Sequence, residues 1–171
     1  METSLEAIIG PMLLQQNLKV AFAESCTGGL VGHRITNIPG SSQYYLGSVT
    51  AYAYEAKRMI LHVKPETLEQ YGAVSRETVI EMAKGVRQSF SGTEIPLDQV
   101  IGMSISGIAG PGGGMPGKPV GLAWIGLSAA RGDYAWSYIW QGDRILNKEL
   151  TADQSLHLLV DYLNDRLPPE A

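Results

Sequence analysis

Apolar and polar residues follow each other along this chain with the periods of both helices and strands. Apolar residues at helical spacing predict a first helix over 4–16, with a kink at Gly10-Pro11. They also predict a last helix over 144–167, which stops at Pro168-Pro169. The clearest helical pattern follows Ser75, which is the expected N-cap of that helix. The pattern therefore predicts helices at both ends of the chain and in its middle.

Short apolar segments rich in β-branched and aromatic residues predict the strands. We assign strands to residues 19–23, 44–53, 99–106, 120–130 and 134–141. Shorter helices are predicted at 27–35 and 54–61, and a turn at 131–133 joins the last two strands. Because strands alternate with helices before a final hairpin, we expect an α/β fold. Its form is a three-layer α/β/α sandwich with a mixed β-sheet, made by a single domain over 1–171.

Length, charge and cysteine content limit the kinds of protein that this chain can be. With 171 residues, of which 44% are hydrophobic, it suits one globular domain rather than a disordered segment. Its net charge of −4 argues against a nucleic-acid partner, because nucleic-acid binders usually present a basic surface. The single cysteine, Cys26, excludes a disulfide scaffold and favours a reducing, cytoplasmic location.

Neither the N-terminus nor the longest uncharged stretch has the pattern of a membrane segment. A signal peptide requires basic residues before its apolar segment, and none precedes the first apolar residues of this chain. The uncharged stretch 99–117 contains nine glycine or proline residues, which a spanning helix disfavours. We therefore expect a soluble protein with no membrane partner. The three histidines are isolated and lack metal-ligand spacing, so no metal is expected.

The segment Glu24–Gly29 lies where a strand is predicted to end and a helix to begin. Such junctions bind ligands in α/β proteins, and the N–H groups of the helix N-terminus can hold an oxyanion. Ser25 is the candidate nucleophile, and the two glycines allow close approach of a substrate. Two alternatives stay open: Ser25 or Thr27 could simply be an N-cap, and Cys26 could be the nucleophile or a buried structural cysteine.

Three further features could supply the rest of a site. Lys57 is a candidate general base if burial lowers its pKa, as in serine–lysine hydrolases, and Tyr52 could relay a proton. The glycine-rich loop over 107–118 could present N–H groups to an anion, although a flexible surface loop has the same composition. Arg144 could bind a phosphate, or it could be solvated while Asp143 caps the last helix.

Taken together, several ungapped segments resemble the CinA C-terminal domain family, whose stand-alone members include nicotinamide-nucleotide amidases. The segments that carry the resemblance are AESCTGG (23–29), GSS (40–42), VTAYAYEAK (49–57), GAVS (72–75), SISGIAGPGGG (104–114), KPVG (118–121) and GDR (142–144). They follow one another in order over nearly the whole chain. The resemblance implies hydrolysis of the carboxamide of nicotinamide mononucleotide (NMN) to nicotinate mononucleotide and ammonia, with no cofactor and no metal.

The resemblance also implies roles for particular residues. Ser25 would be the nucleophile, Lys57 the base, and Tyr52 the group that assists proton transfer to ammonia. Ser42 is a competing serine expected near the same lysine. The residues implied to bind the substrate or its oxyanion are Glu24, Thr27, Gly28, Gly29, Ser106, Gly107, Gly110 and Arg144. Lys148 stands where an arginine is expected, and it keeps the charge without the planar fork.

Two other functions remain compatible with the sequence. One is a non-catalytic nucleotide-binding module linked to competence or DNA-damage responses, and the other is an amidase for a different small carboxamide. A binding module would have no need of Ser25 together with Lys57, so the presence of both favours the enzyme. The resemblance further implies a homodimer or a higher homo-oligomer.

Overall fold

The structure, a computed structural model, describes residues 4–170, so the outermost residues of the predicted domain, 1–3 and 171, lie outside it. Over the described range the helices are α1 (Leu5–Gln15), α2 (Leu30–Thr36), α3 (Tyr54–Leu61), α4 (Pro65–Tyr71), α5 (Arg76–Ser89) and α6 (Arg144–Leu163). The strands are β1 (Lys19–Glu24), β2 (Tyr45–Thr50), β3 (Val100–Gly107), β4 (Leu122–Ala129) and β5 (Gly132–Ile139).

The strands form one five-stranded sheet in the order β2-β1-β3-β4-β5. Strand β1 lies parallel to both β2 and β3, whereas β4 and β5 add an antiparallel hairpin. The mixed sheet is therefore confirmed. Because β1, β2 and β3 are parallel, their carboxyl ends meet at one edge of the sheet, which is where α/β proteins bind ligands.

Alternate residues of β1 face opposite helical layers, which gives the sandwich its three layers. Val20 and Phe22 join the core formed with α1, α2 and α6. Ala21 and Ala23 face the other side, where α3, α4 and α5 pack. The small alanine side chains let that second layer lie close to the sheet. The predicted α/β/α architecture is confirmed, with both faces of the sheet covered.

Three local features differ between the prediction and the structure. Helix α2 begins at Leu30 rather than at residue 27, because Gly28 and Gly29 have positive φ values of 65° and 98° that no helix contains. The hairpin turn lies at 130–131, one residue earlier than predicted. Helix α4 was not predicted, since seven residues are too few to display a helical period.

Two absences hold for the described part of the chain. None of the helices within 4–170 combines the length and the apolar character that a bilayer crossing needs. The same residues contain no cluster of three or more histidine, cysteine, aspartate or glutamate side chains that could bind a metal ion.

Candidate active site

Ser25 and Lys57, which are 32 residues apart in the chain, form a buried pair at the carboxyl edge of the sheet. Ser25 follows the last residue of β1, and its N–H donates to the carbonyl of Ile105 in β3 at 3.0 Å. Lys57 lies on the first turn of α3, and its Nζ donates to Ser25 Oγ at 2.9 Å. Only 1% of Lys57 and 7% of Ser25 is exposed. The structure thus brings together the two residues predicted as nucleophile and base.

The Lys57 amine is surrounded by oxygen acceptors rather than by carboxylates. Besides Ser25, it donates to the carbonyls of Ala51 at 2.8 Å and Tyr52 at 3.1 Å. Burial lowers the pKa of Lys57 from 10.5 to about 8, since the charged form loses water without gaining an anionic partner. A neutral amine fits this geometry: two N–H groups serve the two carbonyls, and the lone pair can accept the Ser25 hydroxyl proton.

Cys26, the alternative nucleophile, is a neutral thiol in this site. Its burial raises the pKa of the thiol to about 12, and the negative charge of Glu24 acts in the same direction. A cysteine nucleophile reacts as the thiolate, which this environment suppresses. Of the two neighbouring candidates, Ser25 is therefore the one that the site equips with a base.

Glu24 faces the protein interior and not the cleft, which corrects its prediction as a substrate-binding residue. Its carboxylate accepts hydrogen bonds from the Thr27 hydroxyl at 2.7 Å and from the backbone N–H groups of Gly29 at 3.0 Å, Val31 at 3.1 Å and Gly32 at 2.9 Å. Because Glu24 is fully buried and does not line the cleft, its carboxylate is not exposed to a ligand there. Glu24 also satisfies the start of α2, so the N-cap interpretation of Ser25 and Thr27 is wrong.

The glycine N–H groups predicted for the oxyanion hole already have protein partners. Gly28 N–H donates to the Ser25 carbonyl at 3.1 Å, and Gly29 N–H donates to Glu24. Among the described residues, the N–H groups of Cys26 and Thr27 donate to no protein acceptor. In serine hydrolases the residue after the nucleophile commonly supplies one oxyanion donor. The available donor nearest to Ser25 is accordingly the N–H of Cys26.

Arg144 and Tyr52 meet across the cleft. Arg144 opens α6, behind Asp143, whose carboxylate caps the helix by accepting the Leu146 N–H at 2.9 Å. Its guanidinium donates to the Tyr52 hydroxyl at 3.0 Å and to the Gly110 carbonyl at 2.7 Å. Asp143 therefore caps α6, and Arg144 lines the cleft. No carboxylate among the described residues pairs with Arg144.

Ser106 and Gly107 form part of the cleft wall at the end of β3. Ser106 is 1% exposed and donates its hydroxyl to the carbonyl of Ala73 at 2.7 Å, so it fixes the 72–75 segment against the sheet. Gly107 has no room for a side chain, because an added Cβ would lie 2.8 Å from the Leu122 carbonyl. The wall residues Ala73 and Val74 were not predicted as site residues, although the GAVS segment carried the signal.

These groups line a solvent-open cleft of about 190 Å³. Its lining residues are Ser25, Cys26, Tyr52, Lys57, Ala73, Val74, Ser106, Gly107, Ala109 and Arg144. A second, more apolar hollow of about 450 Å³ continues from Arg144 and Gly110 toward Pro111, Val120 and Ile145. The glycine-rich loop borders both spaces, and Lys118 fastens its far end to the Tyr71 carbonyl.

Ser42, the competing serine, lies outside the cleft. Ser42 precedes β2 and lies at the opposite edge of the sheet, roughly 20 Å from Ser25 across a six-residue strand. Its predicted proximity to Lys57 is therefore wrong, because a residue before one strand and a residue after a parallel neighbour lie at opposite edges of the sheet.

Lys148 lies beside the Ser25 turn, with its Nζ 3.9 Å from where a Gly28 Cβ would be.

The fold and this pair define a three-layer α/β protein with a buried serine–lysine pair in a cleft at the carboxyl edge of its sheet. The profile of the CinA C-terminal domain matches residues 2–163. The chain belongs to the CinA C-terminal domain family, as the sequence motifs predicted.

Individual relatives support the same membership. The chain is 45% identical to a CinA-like protein of Salinibacter ruber over 91% of its length, and 46% identical to one of Chloroherpeton thalassium over 94%. It spans only 36% and 37% of those two proteins.

Solved structures extend the likeness to the fold. A CinA superfamily protein from Klebsiella pneumoniae superposes with a TM-score of 0.86 at 28% identity, covering 94% of this chain and 96% of that one. A competence/damage inducible protein from Agrobacterium tumefaciens superposes with a TM-score of 0.80 at 32% identity, covering 96% and 99%.

Proposed function

We propose that this protein hydrolyses the carboxamide of NMN to nicotinate mononucleotide and ammonia. The observation that carries the proposal is the 2.9 Å contact between Lys57 Nζ and Ser25 Oγ, inside a cleft that also holds Arg144. A serine activated by a neutral lysine performs acyl transfer, and amide hydrolysis is a reaction of that class. The family resemblance supplies the identity of the amide.

The first half-reaction transfers the acyl group to Ser25. Lys57 accepts the hydroxyl proton as Oγ attacks the carboxamide carbon, and the carbonyl oxygen becomes an oxyanion. The unpaired N–H of Cys26 is the donor that can stabilise this charge. The proton then passes to the amide nitrogen, the C–N bond breaks, and ammonia leaves. Tyr52, whose hydroxyl borders the same cleft, assists that transfer.

The second half-reaction releases the product and restores the site. Lys57 accepts a proton from a water molecule, whose oxygen attacks the acyl carbon of the ester. The ester bond to Ser25 breaks, the nicotinate carboxylate forms, and Ser25 regains its proton. The sum is one water consumed, one amide converted to a carboxylate, and one ammonium ion released, because the proton of the carboxylic acid passes to ammonia.

Arg144 gives the cleft its preference for an anionic substrate. Its guanidinium lacks a carboxylate partner in the described structure, and Lys148 adds a second positive charge one helical turn along α6. The N-terminal end of that helix contributes a further partial positive charge. A phosphate attached to the ribose of the substrate would satisfy these groups at the far side of the cleft from Ser25.

Ammonia release from NMN tests the proposal directly. We expect turnover by the wild-type protein, a loss of at least about 1,000-fold for Ser25→Ala and for Lys57→Ala, and no loss for Ser42→Ala, the matched control. Ammonia release that persists in Ser25→Ala would refute the assigned nucleophile. NMN binding without any turnover by the wild type would instead favour a nucleotide-binding module. Turnover of other carboxamides but not of NMN would refute the assigned substrate.

A further inference from the structure

We propose that Glu24 is the positioning residue that sets the Ser25 nucleophile against its base. The inference rests on the proposed function, because it presumes that Ser25 attacks a substrate. Glu24 does not touch the cleft, so its effect passes through the residues that it holds. Two sets of contacts, one from its side chain and one from its backbone, carry the argument.

The Glu24 side chain holds the turn that follows the nucleophile. The residue is fully buried, and its carboxylate accepts one hydroxyl and three backbone N–H donors, all from the next eight residues. No lysine, arginine or histidine among the described residues forms an ion pair with it. A buried charge without a cation is rare unless several hydrogen bonds compensate it. Here the compensating donors belong to the nucleophile turn and the start of α2.

The Glu24 backbone holds the base. Its carbonyl accepts the N–H of Ala51 at 2.9 Å, just after β2 ends. The carbonyl of Ala51 in turn accepts a hydrogen bond from Lys57 Nζ at 2.8 Å. One residue therefore fixes both partners, with the Ser25 turn on its side chain and the Lys57 amine on its backbone through a single intermediary.

A glutamine at position 24 would keep the shape of the side chain but would lose one of its two acceptor oxygens. The carboxylate offers acceptors on both oxygens: Oε2 receives three donors, and Oε1 receives the Gly32 N–H. An amide has one acceptor oxygen and a donating NH2, so one backbone N–H would face another donor. The turn must then shift, and a displacement of about 1 Å at a reacting atom costs about 100-fold in rate.

The test compares Glu24→Gln with Glu6→Gln. Glu6 is another buried carboxylate, and its partner Arg34 lies on the last turn of the same helix α2. One readout is the rate at which a fluorophosphonate probe labels Ser25, located by mass spectrometry, which needs no assumption about the substrate. The others are kcat and KM for NMN, and the thermal unfolding midpoint.

We expect Glu24→Gln to lower the labelling rate and kcat about 100-fold while KM stays within about threefold, because Arg144 on α6 is untouched. Glu6→Gln should lower the unfolding midpoint and leave labelling within about twofold of the wild type. Labelling of folded Glu24→Gln at the wild-type rate overturns the inference. A loss of labelling in Glu6→Gln equal to that in Glu24→Gln also overturns it, since a general loss of stability would then explain both.

Thr27→Val keeps the test decisive if Glu24→Gln does not fold. It retains the charge and nearly the same volume but removes one of the four donors, so we expect labelling about tenfold slower. Labelling of Thr27→Val at the wild-type rate, with Glu24→Gln unfolded, overturns the inference. A wild-type protein that is labelled at Ser25 but does not hydrolyse NMN refutes the proposed substrate only. A wild type that is not labelled at Ser25 refutes both.

Discussion

At the scale of single residues, the proposed chemistry depends on the charge state of the Lys57 amine. Lys57 is surrounded by a hydroxyl and two carbonyls, so it gains hydrogen bonds but no opposite charge. The desolvation that lowers its pKa to about 8 is what makes it a base near neutral pH. An exposed lysine would be protonated there and would have no lone pair to offer Ser25.

The pH dependence of turnover follows from this state. Because the neutral amine is the active form, kcat/KM for ammonia release should rise with pH and level off above an inflection near a pKa of about 8. Measurement between about pH 6 and pH 10 gives the profile, with Ser42→Ala as a control of identical shape. A profile that is flat, or that falls through this inflection, would contradict the role of Lys57 as base.

The lowered pKa of Lys57 should also make the free energy of unfolding depend on pH. The pKa of Lys57 is 10.5 in an ordinary environment and about 8 in the fold, so between these values the unfolded chain binds more protons. Folding stability of the wild type should then rise with pH across that window by about 3 kcal/mol relative to Lys57→Met. Below the lower of the two pKa values the difference should be constant. Urea unfolding of both proteins at about pH 7, 9 and 10.5 measures it, and parallel curves would contradict the lowered pKa.

Sequence reasoning placed Ser25, Lys57 and Arg144 at the site because their residue types and positions suit the chemistry. It assigned Glu24 the wrong surroundings, since the carboxylate's partners are backbone N–H groups that converge only when two glycines take positive φ. The carbonyls that accept hydrogen bonds from Lys57 belong to the backbone, so no residue type in the sequence could predict them. Ser42 could be excluded only once the direction of β2 beside β1 was known.

At the scale of elements, α5 determines how closely the second helical layer approaches the sheet and α3. Gly85 of α5 lies against the end of α3, where an added Cβ would be 1.9 Å from the Leu61 carbonyl. Gly102 of β3 lies under the same helix, where a Cβ would be 2.2 Å from the Ala83 carbonyl. Because these contacts are with backbone atoms, the neighbouring element would have to move to make room for a side chain. Helix α3, one of these neighbours, carries Lys57 one turn before its end.

Gly85→Ala should therefore both destabilise the fold and weaken catalysis. We expect a loss of about 3 kcal/mol in the free energy of unfolding, at the upper end for overpacking, because the obstacle is backbone. A folded fraction should show lower kcat, since α3 must move. Gly92→Ala is the matched control: no atom lies within 4 Å of its added Cβ, and its stability should change by less than about 0.5 kcal/mol. Urea unfolding distinguishes them, and equal stabilities would contradict the packing argument.

The pattern of apolar residues predicted most elements of this fold because both faces of the sheet are buried by amphipathic helices. Its failures are local. Helix α4 is fixed by a proline at its first turn and by packing of Leu68 rather than by periodicity. The start of α2 was displaced by the backbone of Gly28 and Gly29, whose conformation is held by the contacts of Glu24.

At the scale of the whole molecule, the C-terminal tail covers an edge of the sheet. Strand β5 is an edge strand, and its Ala135 N–H donates to the Glu170 carboxylate at 3.0 Å. Trp136 donates its indole N–H to the Pro168 carbonyl at 3.1 Å, and Arg76 of α5 pairs with Glu170 at 2.8 Å. An uncovered edge invites pairing with another chain, so the tail protects the molecule from that route.

Removal of residues 166–171 should expose this edge. We expect a loss of about 1–2 kcal/mol in stability and increased self-association at high concentration, because at least two hydrogen bonds to the edge are lost. Light scattering after size-exclusion chromatography, over a tenfold range of concentration, measures the association. Glu170→Gln, which keeps an acceptor oxygen, should behave as the full chain does. An unchanged mass distribution for the truncated chain would contradict the protective role.

The buried amine of Lys57 also makes the protein chemically vulnerable at one point. At about pH 7.4 a lysine with a pKa of about 8 is neutral in about a fifth of the molecules, against about 0.1% for an ordinary lysine. Electrophiles react with the neutral form. Cyanate, which is small enough to enter the cleft, should therefore carbamylate Lys57 before the solvated lysines and abolish ammonia release in proportion. The burial that makes this amine basic in its neutral form thus also makes Lys57 the first lysine to be modified, so aged urea solutions, which contain cyanate, should inactivate the protein.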